Sequence, residues 1–260
     1  MTLHVNIQGS GPDLVLLHGW ALHGGVFDHL LPSLIAQYRV HVIDLPGHGQ
    51  SEFDANISTM RELAETIAPY VPTQATVLGW SLGGQIALQL ATQMPLRALI
   101  LVSTTPKFVG SDDWPQGMPA DIFAAFFAKL QDNIRTTVLD FLNLQVRGDS
   151  NASTTLTALK QRLLQHPPAA AALQFGMSLL RDVDLRAQLS SINVPALVIA
   201  GEHDRITHPR AAQYLAAHLP HAQYQQIKRA GHAGFISHRE EFLTMLLEFL
   251  AQQLNVELIP

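Results

Sequence analysis

Five short apolar runs alternate along this chain with helix-like patterns, and that alternation restricts the fold more than any other feature. DLVLLHG (13–19), YRVHVIDLPG (38–47), TQATVLGW (73–80), LRALILVS (96–103) and VPALVIAG (194–201) read as strands, and AQYQQIK (222–228) as a weaker sixth. Between them HLLPSLIAQY, TMRELAETIAPYV, GGQIALQLATQM, RAAQYLAAHL and EEFLTMLLEFLAQQL carry helical spacing of apolar residues. A strand that is apolar on both faces must be covered on both sides. Strands joined by helices run parallel. The pattern therefore predicts an α/β fold, a mostly parallel central sheet with helices on both faces.

The alternation breaks between about residues 106 and 190. A Pro/Gly-rich stretch, DDWPQGMP, leads into helical patterns without a convincing strand. ADIFAAFFAKL puts Phe123, Phe126, Phe127 and Leu130 on one face. NIRTTVLDFLNLQ groups Ile134, Val138, Phe141 and Leu142. The expectation is an α/β core of residues 1–108 and 186–260 interrupted by a helical lid, 109–185. A charged fraction of 14% is low beside the roughly 25% of ordinary soluble domains, which points to an extensive core or an exposed apolar patch. A net charge of −5 argues against a nucleic-acid binder. With no cysteine, thiolate nucleophiles, disulfides and Cys-ligated metals are excluded. No apolar run is long enough to span a bilayer, and MTLHVNIQGSGPD lacks the basic start and apolar stretch of a signal peptide. A cytoplasmic protein without membrane contact is expected.

One strand ends in Gly79-Trp80-Ser81-Leu82-Gly83, and a helical pattern follows at once. A residue on so sharp a strand-to-helix turn takes a positive φ, and its crowded neighbours two positions away favour glycine. Such a turn pushes the Ser81 hydroxyl out at the carboxyl edge of the sheet, where open α/β sheets hold ligands. A serine needs a base, and the base needs an orienting acid. His232, in KRAGHAGF after the last strand, is the candidate base. Asp204, in VIAGEHDRIT after the fifth run, is the candidate acid. Glu202 is a rival acid and His208 a weak rival base, whereas His4, His29, His166, His218, His221 and His238 read as ordinary surface or core residues. The strand ending at Ser103 is followed by STTP, without a carboxylate. Asp44 is expected to order the Pro46-Gly47 turn. Two backbone N–H groups are candidates for an oxyanion hole: that of Leu82, after the serine, and that of Trp20, on the HGWALHGG loop after the first run. The Trp20 indole would form a pocket wall.

LLHGW (16–20), DLPGHGQS (44–51), GWSLGG (79–84), GEHDRIT (201–207) and GHAGFISH (231–238) resemble the α/β-hydrolase superfamily along the whole chain. GWSLGGQIA, SDDWPQGMPADIFAAF and RTTVLDFLNLQ resemble more closely the pimeloyl-acyl-carrier-protein methyl ester esterases of biotin synthesis. The resemblance implies hydrolysis of the methyl ester of a carrier-bound pimeloyl chain by Ser81, Asp204 and His232, without metal or organic cofactor, in a monomer. It also implies a substrate site made of Trp20, Ser81, Leu82, Phe141, Leu142, Asn143, Leu144, Gln145 and His232. Phe141 and Leu142 could equally be ordinary lid core.

The chain departs from that family in two respects. Gly234 replaces the proline of GHAPF, and the places where family lids offer arginines to an acidic carrier hold Thr136, Asp140, Ser153 and Thr157. Nearby Lys129, Arg135, Arg147, Lys160 and Arg162 offer substitutes, and Arg135, Arg147, Lys160 and Arg162 are the candidate contacts to an acyl carrier protein. Other readings remain open at this stage: a short-chain carboxylesterase, a carbon–carbon bond hydrolase, or a ligand receptor of the same shape. A dehalogenase is disfavoured, because its nucleophile is a carboxylate and here the position is Ser81.

Overall fold

The computed structural model describes residues 1–255. In chain order the elements are β1 Val5–Gln8, β2 Asp13–Leu17, α1 Leu31–Leu34, β3 Arg39–Ile43, α2 Met60–Ile67, β4 Thr76–Trp80, α3 Leu82–Ala91 and β5 Ala98–Val102. Then come α4 Ala120–Asp132, α5 Ile134–Gln145, α6 Ala152–Gln165, α7 Ala170–Asp182, β6 Ala196–Gly201, α8 Pro209–His218, β7 Ala222–Ile227, α9 Gly234–Ser237 and α10 Arg239–Asn255. The strands form one sheet in the order β1-β3-β2-β4-β5-β6-β7. Every pairing is parallel except β1 with β3.

Burial explains which strands announce themselves in the sequence. β4, β5 and β6 are buried at every residue, so they read as unbroken apolar runs. The edge strand β7 is buried only in part, and its run is correspondingly weak. β1 was not foreseen. Its residues alternate apolar and polar, and Ile7 is 55% exposed, so an antiparallel edge strand leaves little apolar signal. The helical pattern at 29–38 also folds differently. Leu30, Leu31, Leu34 and Tyr38 are buried as their spacing asks, but only Leu31–Leu34 is α-helix. The N–H groups of Gln37 and Tyr38 both close onto Leu34 O, and the chain then turns into β3.

The order places a crevice where the chemistry is expected. From β2 the chain passes outward to β3, then crosses back over β2 to β4 and continues through β5, β6 and β7. The loops leaving β2 and β4 therefore diverge at their carboxyl ends, and such a divergence is where open α/β sheets bind ligands. Leu17 at the end of β2 is paired with Gly79 of the serine turn.

Four helices, α4 to α7, lie between β5 and β6. The two ends of this insertion meet. Leu185 N donates to Pro106 O at 2.9 Å, and Lys107 bridges to Asp184. Arg186 pairs with Asp113 (2.8 Å) and Asp184 (2.7 Å) and lies over the buried Trp114 ring at 5.4 Å. Among the described residues no helix is long and apolar enough to cross a membrane.

Candidate active site

Ser81 sits between β4 and α3 with φ 57° and ψ −117°. That backbone is costly for a residue with a Cβ, by about 1–3 kcal/mol. The two glycines make the turn sterically possible. A Cβ on Gly79 would stand 2.6 Å from Gly84 Cα, and one on Gly83 would stand 2.6 Å from His18 O and nearer still to Leu17 O. The serine carbonyl is fixed by Thr104 Oγ1 (2.7 Å), so the segment after β5 that has no carboxylate serves to brace the turn. Leu82 opens α3. Its N–H is one of the helix's first N–H groups, which have no intrahelical acceptor, and it lies at the positive end of the helix dipole.

The loop after β2 lies against this turn. A Cβ on Gly19 would be 3.2 Å from Ser81 Cβ and from the Trp80 ring, so the loop that carries Trp20 packs directly on the serine turn. His18, buried below it, holds the loop. Its Nε2 accepts from Leu45 N (2.9 Å), and its Nδ1 hydrogen bonds to Gly19 O (2.8 Å). Burial, reinforced by His48, lowers its pKa to about 3, so the ring stays neutral. Sequence reasoning gave His18 no site role. The signal was its place directly before Gly19.

Asp204 and His232 meet in the core. His232 Nδ1 is 2.8 Å from Asp204 Oδ2, and neither side chain is exposed. Asp204 also accepts from Ile206 N (2.8 Å), Thr207 N (2.9 Å) and Thr207 Oγ1 (2.9 Å). A carboxylate with its oxygens so occupied holds His232 in the tautomer with Nδ1–H, which leaves Nε2 as acceptor. That Nε2 is buried and has no hydrogen-bond partner among the described residues. Trp80, the residue before the serine, donates its indole N–H to His232 O at 3.0 Å and ties this loop to the turn.

The rivals are engaged elsewhere. Glu202 accepts from Arg229 N (2.8 Å), and His208 caps α8 through Arg210 N (3.1 Å). Asp44 does not bond the Pro46-Gly47 turn directly. It joins two loops by accepting from Gly24 N (2.7 Å) and Gln50 N (3.0 Å).

The expected acyl-lining segment divides. Phe141 and Leu144 line a narrow apolar cavity of about 50 Å³, together with Trp20, Phe126, Met177 and Leu180. Phe141 meets the Trp20 ring edge-on at 5.0 Å, and the indole N–H donates to Leu173 O at 3.0 Å. Leu142 is buried away from this cavity, and Asn143 faces solvent with its amide on Leu139 O. The helix turn that points Phe141 inward points Asn143 outward. Gln145 is buried too, and its main-chain oxygen accepts from His232 N at 2.8 Å.

The basic candidates also divide. Arg162 is paired with Asp28 at 2.8 Å. Arg135 and Lys160 rim one groove of about 720 Å³, with Leu139, Leu163 and the exposed Leu164 on its walls. Arg147 stands apart, in a cleft of about 570 Å³ beside Arg205.

Residues 12–239 match the family described as the alpha/beta hydrolase fold. The pimeloyl-acyl-carrier-protein methyl ester esterase of Nitrosomonas europaea is 42% identical over 246 residues, 94% of this chain and 97% of that one. The protein of the same name from Stenotrophomonas maltophilia is 41% identical over 251 residues, 96% of each chain. Among solved structures, an esterase from Exiguobacterium antarcticum superposes with a TM-score of 0.88 at 24% identity, covering 96% of this chain and 95% of that one. A bromoperoxidase from Bacillus anthracis gives 0.87 at 20% identity, with coverage of 96% and 95%. At these identities the two structures speak for the fold alone.

Proposed function

The chain belongs to the α/β-hydrolase fold family and, within it, to the pimeloyl-acyl-carrier-protein methyl ester esterases, and on that premise we propose that it hydrolyses the methyl ester of a carrier-bound pimeloyl chain, with Ser81 as nucleophile, His232 as base and Asp204 as orienting acid. The observation that carries this reading is the His232 ring. Among the described residues it is fixed at Nδ1 by Asp204 and left with a buried, unpartnered Nε2, on a loop that Trp80, the residue before the positive-φ serine, ties to the serine turn.

The reaction runs in two halves. His232 Nε2 takes the Ser81 proton as Oγ attacks the ester carbonyl carbon. The N–H groups of Leu82 and Trp20 stabilise the oxyanion. The tetrahedral intermediate collapses, the C–O bond to methoxide breaks, and His232 returns the proton so that methanol leaves. Water, deprotonated by the same nitrogen, then attacks the acyl-serine. Ser81 leaves with the proton, and the distal carboxylate of the pimeloyl chain is freed for biotin synthesis. Burial keeps the developing charges out of water, which strengthens the stabilisation.

The helices α4 to α7 act as a lid in this reading, with Trp20, Phe141 and Leu144 walling the acyl chain. The carrier protein docks on the groove rimmed by Arg135 and Lys160, cations that form no ion pair among the described residues and face an acidic partner although the chain as a whole is negative. A cytoplasmic monomer fits that role.

Labelling with an organophosphonate tests the assignment. One equivalent should attach to Ser81, at a rate cut by about 10³-fold or more in His232→Ala, and Ser81→Ala should lose about 10⁴-fold or more in kcat with an unchanged melting temperature. An inert Ser81, or full esterase activity in Ser81→Ala, would refute it.

A further inference from the structure

The loop that carries His232 is gripped from two directions. From the core, Trp80 donates to His232 O (3.0 Å), and His203 N donates to Ala230 O (2.8 Å). From the insertion, the connection between α5 and α6 reaches over the same loop. His232 N donates to Gln145 O (2.8 Å), Ser150 N to Arg229 O (3.0 Å), and Gly231 N to Asp149 Oδ2 (2.7 Å). The connection also touches the acid loop, where His203 Nδ1 bonds to Gly148 O at 2.6 Å. One short segment of the insertion therefore braces the loops of both the base and its orienting acid.

Among these contacts Asp149 is the one side chain that the insertion contributes. It is 8% exposed and forms no ion pair among the described residues. A buried carboxylate without a cation is expensive unless N–H groups take its lone pairs. Here Oδ1 accepts from Asn151 N (2.7 Å) and Oδ2 from Gly231 N (2.7 Å). The bond to Asn151 is an ordinary turn contact that a serine or threonine makes as well. Among the described residues the second oxygen serves only Gly231, the residue before the base.

We propose that Asp149 is a positioning residue for His232: by holding the Gly231 peptide it sets the direction in which the imidazole leaves the backbone. The proposal rests on the reading of His232 as the base. The ring must satisfy two partners at once, with Nδ1 on Asp204 and Nε2 toward Ser81. A tilt of the preceding peptide that preserves the first contact moves the second. A misplacement of about 1 Å costs on the order of a hundredfold in rate.

The test compares three variants of the full chain on a simple methyl ester and on the carrier-bound ester. Asp149→Ser keeps the acceptor for Asn151 N and is too short to reach Gly231. Asn151→Ala removes only the bond from its side chain to Ser237 O. Asp149→Asn keeps one acceptor oxygen. Asp149→Ser should lower kcat about ten- to a hundredfold on both esters, with KM within about twofold, and should slow phosphonate labelling of Ser81 by the same factor. Asp149→Asn should fall between that variant and the parent. Asn151→Ala should keep the parental kcat. If Asp149→Ser fails to fold, the labelling rate and kcat of Asp149→Asn decide alone. Parental kcat and labelling in the folded Asp149 variants, whatever their melting temperatures, would overturn the proposal and leave Asp149 as a turn residue. A Ser81→Ala enzyme that still turns over would sink the reading of the base itself, and that result is obtained without touching Asp149.

Discussion

Gly83 in the serine turn and Gly176 in α7 are both glycines at points of contact, and they differ in what they touch. At Gly83 the neighbours are the main-chain oxygens of Leu17 and His18, locked in β2 and its loop. At Gly176 the neighbour is Trp20 Cδ1, where an added Cβ would stand 2.6 Å away. The first contact joins backbone to backbone and leaves nothing to rearrange. The second joins the backbone of an inserted helix to a side chain of the loop after β2, where small helix shifts and side-chain rotation can relieve a clash. The core thus fixes the reacting atoms rigidly, while the insertion shapes the acyl site through adjustable contacts.

Alanine at the two glycines tests this contrast and should give the largest difference. Gly83→Ala should cost about 4 kcal/mol or more, or fail to fold, because a buried carbonyl must move. Gly176→Ala should cost roughly 1–2 kcal/mol. Urea midpoints of the two variants measure the gap, and equal costs would break the distinction between core and insertion. Phe141→Ala comes next. Removing this buried ring, which packs edge-on against Trp20, should cost about 3 kcal/mol and raise KM for long acyl esters several-fold, while acetate esters are spared. An equal loss on short and long esters would take Phe141 off the acyl wall.

A smaller effect depends on pH and belongs to the core. Burial lowers the His48 pKa from 6.5 to about 4, and among the described residues its Nε2 has no partner. The unfolded chain therefore binds a proton at this residue between those two values and the folded chain does not. Its share of the stability is complete above pH 6.5 and is lost as the pH falls toward 4, by on the order of 3 kcal/mol. His48→Phe, which keeps the bulk without the titration, should flatten the fall in melting temperature between pH 6.5 and 4.5. An unchanged slope would place the acid sensitivity elsewhere.

The same contrast explains what could be read from the sequence. The serine turn, the candidate acid and the candidate base were legible, because strand ends and crowded glycines leave few residue types possible at Gly79, Ser81 and Gly83. The parallel sheet was legible because doubly covered strands are continuous apolar runs. The edge strand β1 was not, since a half-solvated strand carries no such run. In the insertion, helical spacing grouped Phe141 with Leu142 but could not say which of the two meets the cavity, and the resemblance that implied Asn143 missed its outward face. Nothing in the local sequence pattern singles out Asp149. Its place depends on where the α5–α6 connection lands on the His232 loop, a long-range contact that no local pattern announces.

The most direct measurement is kcat/KM on methyl pimeloyl-carrier protein against dimethyl pimelate, at low and high salt, with Ser81→Ala as the blank and Arg135→Glu/Lys160→Glu as the docking variant. Methanol release should vanish in Ser81→Ala. The preference for the carrier-bound ester should shrink with salt, and the double variant should lose this preference while keeping its rate on dimethyl pimelate. Equal rates on both esters, unmoved by salt or by the charge reversals, would contradict the carrier-directed reading and leave a serine esterase for free esters.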